Sequence, residues 1–254
     1  MVQIRPTVNL KKKRIRNLVE ENYVFASVLH HFGIDFYNYP EQNLAEVCAS
    51  KGLKPALIIA SLEDVVEDDH EHLQYLMSLP VDLVITYLQH KHFTFIKRTL
   101  PYLAKLINSY PTNNEPAVIS DIRAAFPLFV EYFIVHMREE EYGTFKFISE
   151  IDRVIKGETA FSKLFFSLRK NSIKKIADEH LHQDDVMVGI RKLTNNYLLQ
   201  PGSPVLLKII YSELQSFERT LIIHARIENE VLLPKALLLE KELHKLILKN
   251  AYLN

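Results

Sequence analysis

Two fragments of the sequence place a histidine four residues before a glutamate in a largely apolar stretch. They are "FIVHMREEEYGTF", with His136 and Glu140, and "LIIHARIENEVLLP", with His224 and Glu228. Because a helix repeats every 3.6 residues, each histidine points to the same side as its glutamate. Apolar residues share that side, so both pairs are predicted to face a core. Imidazole nitrogen and carboxylate oxygen together are ligands that transition metals accept.

Buried carboxylates require a compensating charge. An uncompensated buried charge costs at least several kcal/mol, whereas a whole domain is stable by only about 5 to 15 kcal/mol. Lysine and arginine do not supply that charge on the helix faces of the two pairs. A bound cation is the leading interpretation, and a metal-free scaffold with a satisfied polar core is the alternative.

Two further helical stretches each contribute one inward histidine. His92 shares a face with several aliphatic and aromatic residues, while His90 is turned away by about 200° and is predicted to face solvent. In the same way His180 is predicted to point inward and His182 outward. The predicted metal ligands are His92, His136, Glu140, His180, His224 and Glu228.

This ligand set suits a pair of transition ions inside a four-helix bundle, with the carboxylates bridging and two imidazoles capping each ion. Nitrogen and oxygen ligands without thiolate favour two iron ions, with manganese and zinc as alternatives. Open coordination positions would accept an oxygen bridge or a small diatomic molecule. Asp184, one turn beyond His180, is either a supporting or additional ligand or a solvent-facing residue.

Apolar spacing predicts an all-α fold, since glycine is scarce and no period-two alternation is sustained. Short helices at about 14–31, 41–51 and 54–66 predict a small N-terminal helical domain, residues 1–70, with a boundary in the acidic stretch 67–80. Longer amphipathic helices predict an antiparallel four-helix bundle over residues 78–254. Their predicted spans are about 80–110, 117–142, 172–199 and 204–232, and a last helix after Pro234 packs outside or continues the fourth.

Composition excludes several classes of function. The 31 basic and 31 acidic residues balance, so no overall field favours nucleic acid or an anionic membrane. Glycine-rich phosphate loops are absent from the sequence. The single cysteine, Cys48, excludes an internal disulfide framework and indicates a reducing compartment. Without an apolar run long enough to span a bilayer, or a signal peptide, a cytoplasmic location is expected.

The chain resembles the hemerythrin-like di-iron proteins for repair of iron centres, the YtfE/ScdA group. The resemblance rests on "HMREEE", "HARIENEVLLP", "EHLHQDD...LTNN" and "HKHFTFIKRTLP", and the last looks one residue longer than the family's usual run. The resemblance implies the same six iron ligands as the helical phase. It also implies repair or protection of iron-sulfur proteins damaged by nitric oxide or oxidants, with a homodimer as a further expectation.

The N-terminal part also resembles that family's small helical domain, in "LHHFGIDFYNYPEQNLAEVCASKGL". The family carries a Cys-Cys-Gly-Gly run where this chain has Tyr37, Asn38, Tyr39 and Pro40. A role of the domain that needs vicinal thiols is therefore in doubt. This loss gives weight to an alternative function, a reversible sensor or carrier of dioxygen or nitric oxide with an N-terminal protein-interaction module.

Overall fold

The computed structural model describes residues 8–21, 25–63, 69–113, 115–164, 168, 172–181 and 186–252. These residues are mostly helical, and β pairing among them is limited to an isolated bridge between Arg14 and Asn43. The predicted all-α fold is confirmed. Among the helices described, none combines the length and apolar character needed to cross a membrane.

The chain divides into two compact units. One contains Met1–Asp68, Tyr102–Arg123 and Ile190–Glu218, and the other contains Asp69–Pro101, Ala124–Gly189 and Arg219–Asn254. All described residues around the predicted metal ligands belong to the second unit. The domain division predicted from composition, at residues 1–70 and 78–254, stays a prediction.

Three short helical stretches were predicted for the N-terminal part of the first unit, and the structure has short helices there. They are α1 (Val8–Lys12), α2 (Ile15–Glu21), α3 (Phe25–His31), α4 (Leu44–Ser50) and α5 (Pro55–Glu63), with a 3-10 turn at Phe36–Asn38. Their apolar faces form a local core, because α1 packs on α4 and α5, and α3 packs on α2 and α5. Ile15, Leu18 and Leu29 are fully buried there.

Helix α4 shows how the local sequence sets helix ends. The side chain of Asn43 accepts a hydrogen bond from the Glu46 amide at 2.9 Å, and the Glu46 carboxylate accepts one from the Asn43 amide at 2.9 Å. Gly52 follows the helix at φ +67°, a backbone conformation that favours glycine. Cys48 is buried within the helix, and burial raises the pKa of its thiol, so it packs as a small apolar residue.

The remaining helices follow from residue 69. They are α6 (Asp69–Ser78), α7 (Val81–Thr94), α8 (Leu100–Asn108), α9 (Ala117–Glu139), α10 (Lys146–Ile155), α11 (Ile173–Leu181), α12 (Val188–Leu193), α13 (Val205–Ile227) and α14 (Leu233–Tyr252). Wide turns of π-helix join three pairs of them without a break: Phe95–Thr99, Glu140–Phe145 and Glu228–Leu232. We call these the first, second and third π-turns.

Two of the π-turns lead directly into a proline. The amide of Leu100 donates to the Phe95 carbonyl, and the amide of Leu233 donates to the Glu228 carbonyl, in each case five residues back. Pro101 and Pro234 come next, and a proline cannot donate the regular helical hydrogen bond. Because the third π-turn joins α13 to α14 without a break, the last predicted helix continues the fourth and does not pack outside as a separate helix.

The helices differ from the predicted spans in three places. Helix α6 lies inside the stretch 67–80 that was predicted to be a boundary. The second long helix extends past the predicted end at residue 142 to Ile155, because Phe145, Ile148 and Ile151 continue its buried stripe. The third predicted span, 172–199, forms the shorter helices α11 and α12 and then ends where Asn195, Asn196 and Tyr197 adopt positive φ.

The core of the second unit lies between the helices that carry the predicted ligands. Helix α10 packs against α14 and α7, α11 packs against α14, and α7 packs against the third π-turn. Val84, Leu88, Phe145, Ile148 and Val231 lie in one buried cluster. Because these side chains fill the space around the ligand-bearing turns, the polar groups among them sit in a largely dry interior.

Candidate metal centre

Four predicted ligands come together inside the second unit. The ligand atoms of His92, Glu140, His224 and Glu228 all lie within 4.8 Å of one another, and all four residues are buried. They come from α7, the second π-turn, α13 and the third π-turn. Residues far apart in the sequence thus meet in the cluster that helical phase predicted, and such a group of nitrogen and oxygen atoms could hold a metal ion.

The two buried imidazoles face each other through their Nε2 atoms. His92 Nε2 and His224 Nε2 are 3.1 Å apart. Two nitrogens bound at right angles to one ion, each at a typical distance of about 2.1 Å, would lie about 3.0 Å apart. The spacing therefore fits adjacent positions on a single ion.

Burial also sets the protonation of His92. Burial lowers the pKa of His92, and the facing His224 lowers it further, while Glu140, Glu228 and Glu141 oppose that change. The net direction is downward, which favours the neutral imidazole at neutral pH. Neutral imidazole is the form that coordinates a metal ion.

The carboxylate of Glu140 lies between two histidines. Its Oε2 is 3.4 Å from His92 Nε2, and its Oε1 is 3.1 Å from His136 Nε2. Each oxygen thus faces a different imidazole. A carboxylate in this position can bind one ion through each oxygen, which is the arrangement of a bridging ligand.

Glu228 occupies the corresponding position on the third π-turn. Its Oε1 is 3.4 Å from His224 Nε2, and its side chain is only 3% exposed. Together with Glu140 it brings a second carboxylate into the buried cluster. Two negative charges in a dry interior are strongly stabilised by a multivalent cation, so the donor set fits a metal centre.

His136 lies at the outer edge of the cluster, with its side chain 15% exposed. The ring of Tyr132 is parallel to it, with centroids 6.5 Å apart and planes at 3°. Tyr132, four residues before His136, lies on the same side of the helix but is 55% exposed, whereas the next aromatic, Phe133, is buried. Adjacent residues diverge by about 100° on a helix, which is enough to turn Tyr132 outward.

The third predicted span, 172–199, allows only a partial test of the predicted ligand positions. His180 lies in the last turn of α11, but its side chain lies outside the described residues, as do His182 and Asp184. On α7, His90 is exposed and His92 is fully buried, as helical phase predicted. The role of all six residues as metal ligands stays a prediction.

Each π-turn begins at or near a predicted ligand. Glu140 and Glu228 are the first residues of the second and third π-turns, and the first π-turn starts three residues after His92. Such wide turns occur frequently at functional sites. A π-turn accommodates one extra residue, which agrees with the run after His92 that looks one residue longer than the family's.

Sequence reasoning missed one residue that contacts the cluster. Glu141 Oε1 is 3.0 Å from His92 Nδ1, on the side of the ring opposite Glu140. In a regular helix Glu141 would point about 100° away from Glu140, so helical phase did not place it near the predicted ligands. The signal in the sequence was weak: Glu139, Glu140 and Glu141 form a run, and Glu139 is exposed.

Aromatic rings enclose the two facing histidines. Phe145 stacks on His92, with ring centroids 5.4 Å apart, and the edge of Phe95 meets His224 at 5.6 Å. Both phenylalanines are almost fully buried. They keep water from the imidazoles and fix the planes of the rings.

Comparison with known proteins gives a weak similarity that covers most of the chain. The chain is 21% identical over 227 residues to the iron-sulfur cluster repair protein ScdA of Staphylococcus haemolyticus (strain JCSC1435), across 87% of this chain and 96% of that protein. No protein-family profile matches the chain. The similarity therefore extends over nearly the whole length of both proteins at low identity.

Proposed function

We propose that this protein is a non-haem di-iron protein that repairs or protects iron-sulfur centres damaged by nitric oxide or oxidants. The observation that carries the proposal is the carboxylate of Glu140, which has one oxygen directed at His92 and the other at His136. The likeness to an iron-sulfur cluster repair protein over nearly the whole chain supports the same function.

Two ions account for the ligand geometry better than one. His92 and His224 approach closely enough to share an ion, and Glu140 reaches from that pair to His136 on its other side. A second ion near His136 would take the Oε1 oxygen of Glu140. His180 is the remaining predicted ligand for that second ion.

The donor set favours iron. Imidazole nitrogens and carboxylate oxygens suit iron or manganese, whereas a structural zinc site usually includes thiolates. Cys48 is buried in the first unit and its thiol pKa is raised, so it does not offer a thiolate. Iron also agrees with the likeness to an iron-sulfur cluster repair protein.

The residues around the site each have a defined part in the proposed function. When bound, a di-iron pair supplies iron for rebuilding a damaged centre and open positions for nitric oxide or dioxygen. Glu140 and Glu228 would offset the positive charge of the ions. Packing against Phe145 holds the ring plane of His92, and packing against Phe95 holds that of His224. The partly exposed His136 gives solvent and small molecules access at one edge.

Repair in this protein would proceed without the paired thiols of the family's N-terminal domain. Tyr37, Asn38, Tyr39 and Pro40 stand where those cysteines and glycines are expected. The proposed clients are damaged iron-sulfur proteins in a reducing compartment such as the cytoplasm, which agrees with a single buried cysteine. The N-terminal part would then serve to recognise clients and not to carry metal.

The direct test is recovery of a damaged enzyme. Aconitase with a nitric oxide-damaged cluster is incubated with the iron-loaded protein, and its activity is followed. We expect activity to return with the wild-type protein and with Glu139→Ala, an exposed neighbour, but not with Glu140→Ala. Equal recovery with free iron salt alone, or with Glu140→Ala, would contradict the proposal.

The second candidate function is reversible binding of dioxygen or nitric oxide by a sensor or carrier. The missing cysteine pair favours it, because thiol-dependent steps of repair are not available. Spectral titration of the iron-loaded protein with nitric oxide, followed by its removal under argon, distinguishes the two. Full reversal without recovery of aconitase would favour the carrier.

A further inference from the structure

We propose that Glu141 is a positioning residue that fixes the proton and the donor strength of His92. The imidazole of His92 lies between two consecutive carboxylates. Glu141 Oε1 is 3.0 Å from Nδ1, and Glu140 Oε2 is 3.4 Å from Nε2. This inference extends the proposed di-iron function, because it concerns how one of the predicted ligands is held.

The second π-turn makes this arrangement feasible. Neighbouring side chains of a regular α-helix diverge by about 100°, which would direct Glu140 and Glu141 to different surroundings. Both residues lie at the start of the π-turn Glu140–Phe145, where each residue turns less about the axis. Within this wide turn the two adjacent carboxylates each face a different nitrogen of the same ring.

The contact with Glu141 selects one tautomer of His92. A neutral imidazole carries one N–H, and an ionised carboxylate only accepts hydrogen bonds. With Nδ1–H donating to Glu141, the lone pair of Nε2 is directed towards His224 and Glu140. Nε2 is then ready to bind a metal ion without first losing or moving a proton.

The facing histidine lacks this support. His224 Nδ1 is buried and, within the part of the chain that the structure describes, has no hydrogen-bond partner. Of the two imidazoles that face each other, His92 therefore has the carboxylate that raises ligand basicity. This makes His92 the stronger donor of the two imidazoles, and its donation would favour the oxidised state of the iron that it binds.

Glu141 is suited to this role because it is not itself sealed in the core. Its side chain is 28% exposed, compared with 6% for Glu140. Water solvates its charge, so the residue needs no buried cation of its own. Replacing it is also compatible with folding, since no large buried side chain is lost.

The first experiment uses the metal-free protein, so that it does not depend on iron. Long-range ¹⁵N NMR of the histidine rings reports which nitrogen of His92 carries the proton. We expect Nδ1–H in the wild type, in Glu139→Ala and in Glu141→Gln, whose amide oxygen still accepts. In Glu141→Ala we expect the proton to move largely to Nε2, where Glu140 accepts it.

The second experiment measures the iron-loaded protein. We expect Glu141→Ala to weaken iron binding about 10- to 100-fold. Glu141→Gln should retain iron but show a more positive reduction potential than wild type in a spectroscopic redox titration, because the acceptor stays and the charge is lost. Glu139→Ala should match wild type in both measurements.

The outcomes separate this inference from the proposed function. If Glu141→Ala leaves the tautomer of His92 unchanged in the metal-free protein, or if Glu141→Gln keeps the wild-type potential, the positioning role is wrong while the di-iron site can stand. If the wild-type protein binds no iron but the tautomer responds to Glu141, the positioning of His92 holds and the di-iron function fails.

Discussion

The Nε2 atoms of His92 and His224 lie 3.1 Å apart, although the two histidines are separated by 132 positions in the chain. We expect His92→Ala or His224→Ala to lose bound iron and to abolish the rise in melting temperature that iron gives the wild type. Ligand bound only to the folded state stabilises it, by about 2.7 kcal/mol at a hundredfold excess over Kd. Elemental analysis and calorimetry measure both effects.

His90→Ala is the matched control for this pair, because His90 is exposed on the same helix. It should retain wild-type iron content and melting temperature. Similar losses in His90→Ala and His92→Ala would contradict the inward orientation of the site.

The position of Glu140 predicts a stepwise loss of metal. His136→Ala removes a ligand on one side of the carboxylate only, so we expect about one iron per chain to remain. Glu140→Ala removes the group between the two sides and should leave almost none. Iron per chain is measured after gel filtration in chelator-free buffer. Equal iron content in the two variants would be inconsistent with a bridging Glu140.

The buried carboxylate of Glu228 should have opposite effects on stability with and without metal. In the metal-free protein Glu228→Gln removes a buried charge, so we expect the free energy of unfolding to rise by about 1 to 3 kcal/mol. In the iron-loaded protein the same change removes a ligand and should lower the melting temperature. Urea unfolding of both forms checks the two signs.

Glu242→Gln is the control for Glu228→Gln, since Glu242 is exposed on α14. It should change the stability of either form by less than about 0.5 kcal/mol. A loss of stability in metal-free Glu228→Gln would show that the carboxylate is satisfied without a cation.

The second π-turn should tolerate the deletion of one residue, whereas a regular helix should not. Tyr142 lies in this turn and is 74% exposed. Its deletion lets the turn close as α-helix while α10 keeps its phase, so we expect wild-type helicity by circular dichroism but little iron. Deletion of the exposed Glu131, within α9, should instead rotate the buried face that follows by about 100° and unfold the second unit.

The ion pair between Asp35 and Lys105 in the first unit should make the stability of the fold depend on pH. Burial raises the pKa of Asp35, but hydrogen bonds from Lys105 and His30 outweigh it, so the net pKa is lowered from 3.8. A carboxylate with a lowered pKa stabilises the fold above its unfolded pKa, and this stability is lost as pH falls through the folded pKa. Lys105→Met should therefore be less stable than wild type at pH 7, by at most about 1 kcal/mol.

The pH series supplies the check on Lys105. The difference between wild type and Lys105→Met should shrink as pH falls from 7 towards 3, as measured by urea midpoints. Lys245→Met, at an exposed position of α14, should show no such trend. A difference that is constant with pH would mean that packing of the lysine stem, and not its charge, supplies the stability.

Helical periodicity was sufficient to predict the fold class and the residues of the cluster. His92, Glu140, His224 and Glu228 were found because a charged or polar residue on an apolar stripe is costly and therefore conspicuous. The same reasoning correctly predicted that His90 is exposed to solvent. Long helices were predicted with useful accuracy because their apolar stripes persist over many turns.

The errors arose where the helical repeat changes. Glu141 was missed because the rule of 3.6 residues per turn fails within a π-turn. The end of the second long helix was placed too early, at residue 142. Gly143, the next residue, has low helix propensity, but packing of Phe145 and Ile148 outweighs that preference. Local sequence signals do not contain that tertiary contribution.

The three π-turns are also the places where a single residue can be inserted or deleted without disturbing the packing of the helices. One residue added to or removed from a wide turn alters only the loop of backbone beside a ligand, while the buried stripes before and after it stay aligned. Insertions and deletions of a single codon in descendants of this chain should therefore accumulate at residues 95–99, 140–145 and 228–232, next to the chemistry. Selection could retune the metal surroundings there while leaving the packing of the helices intact.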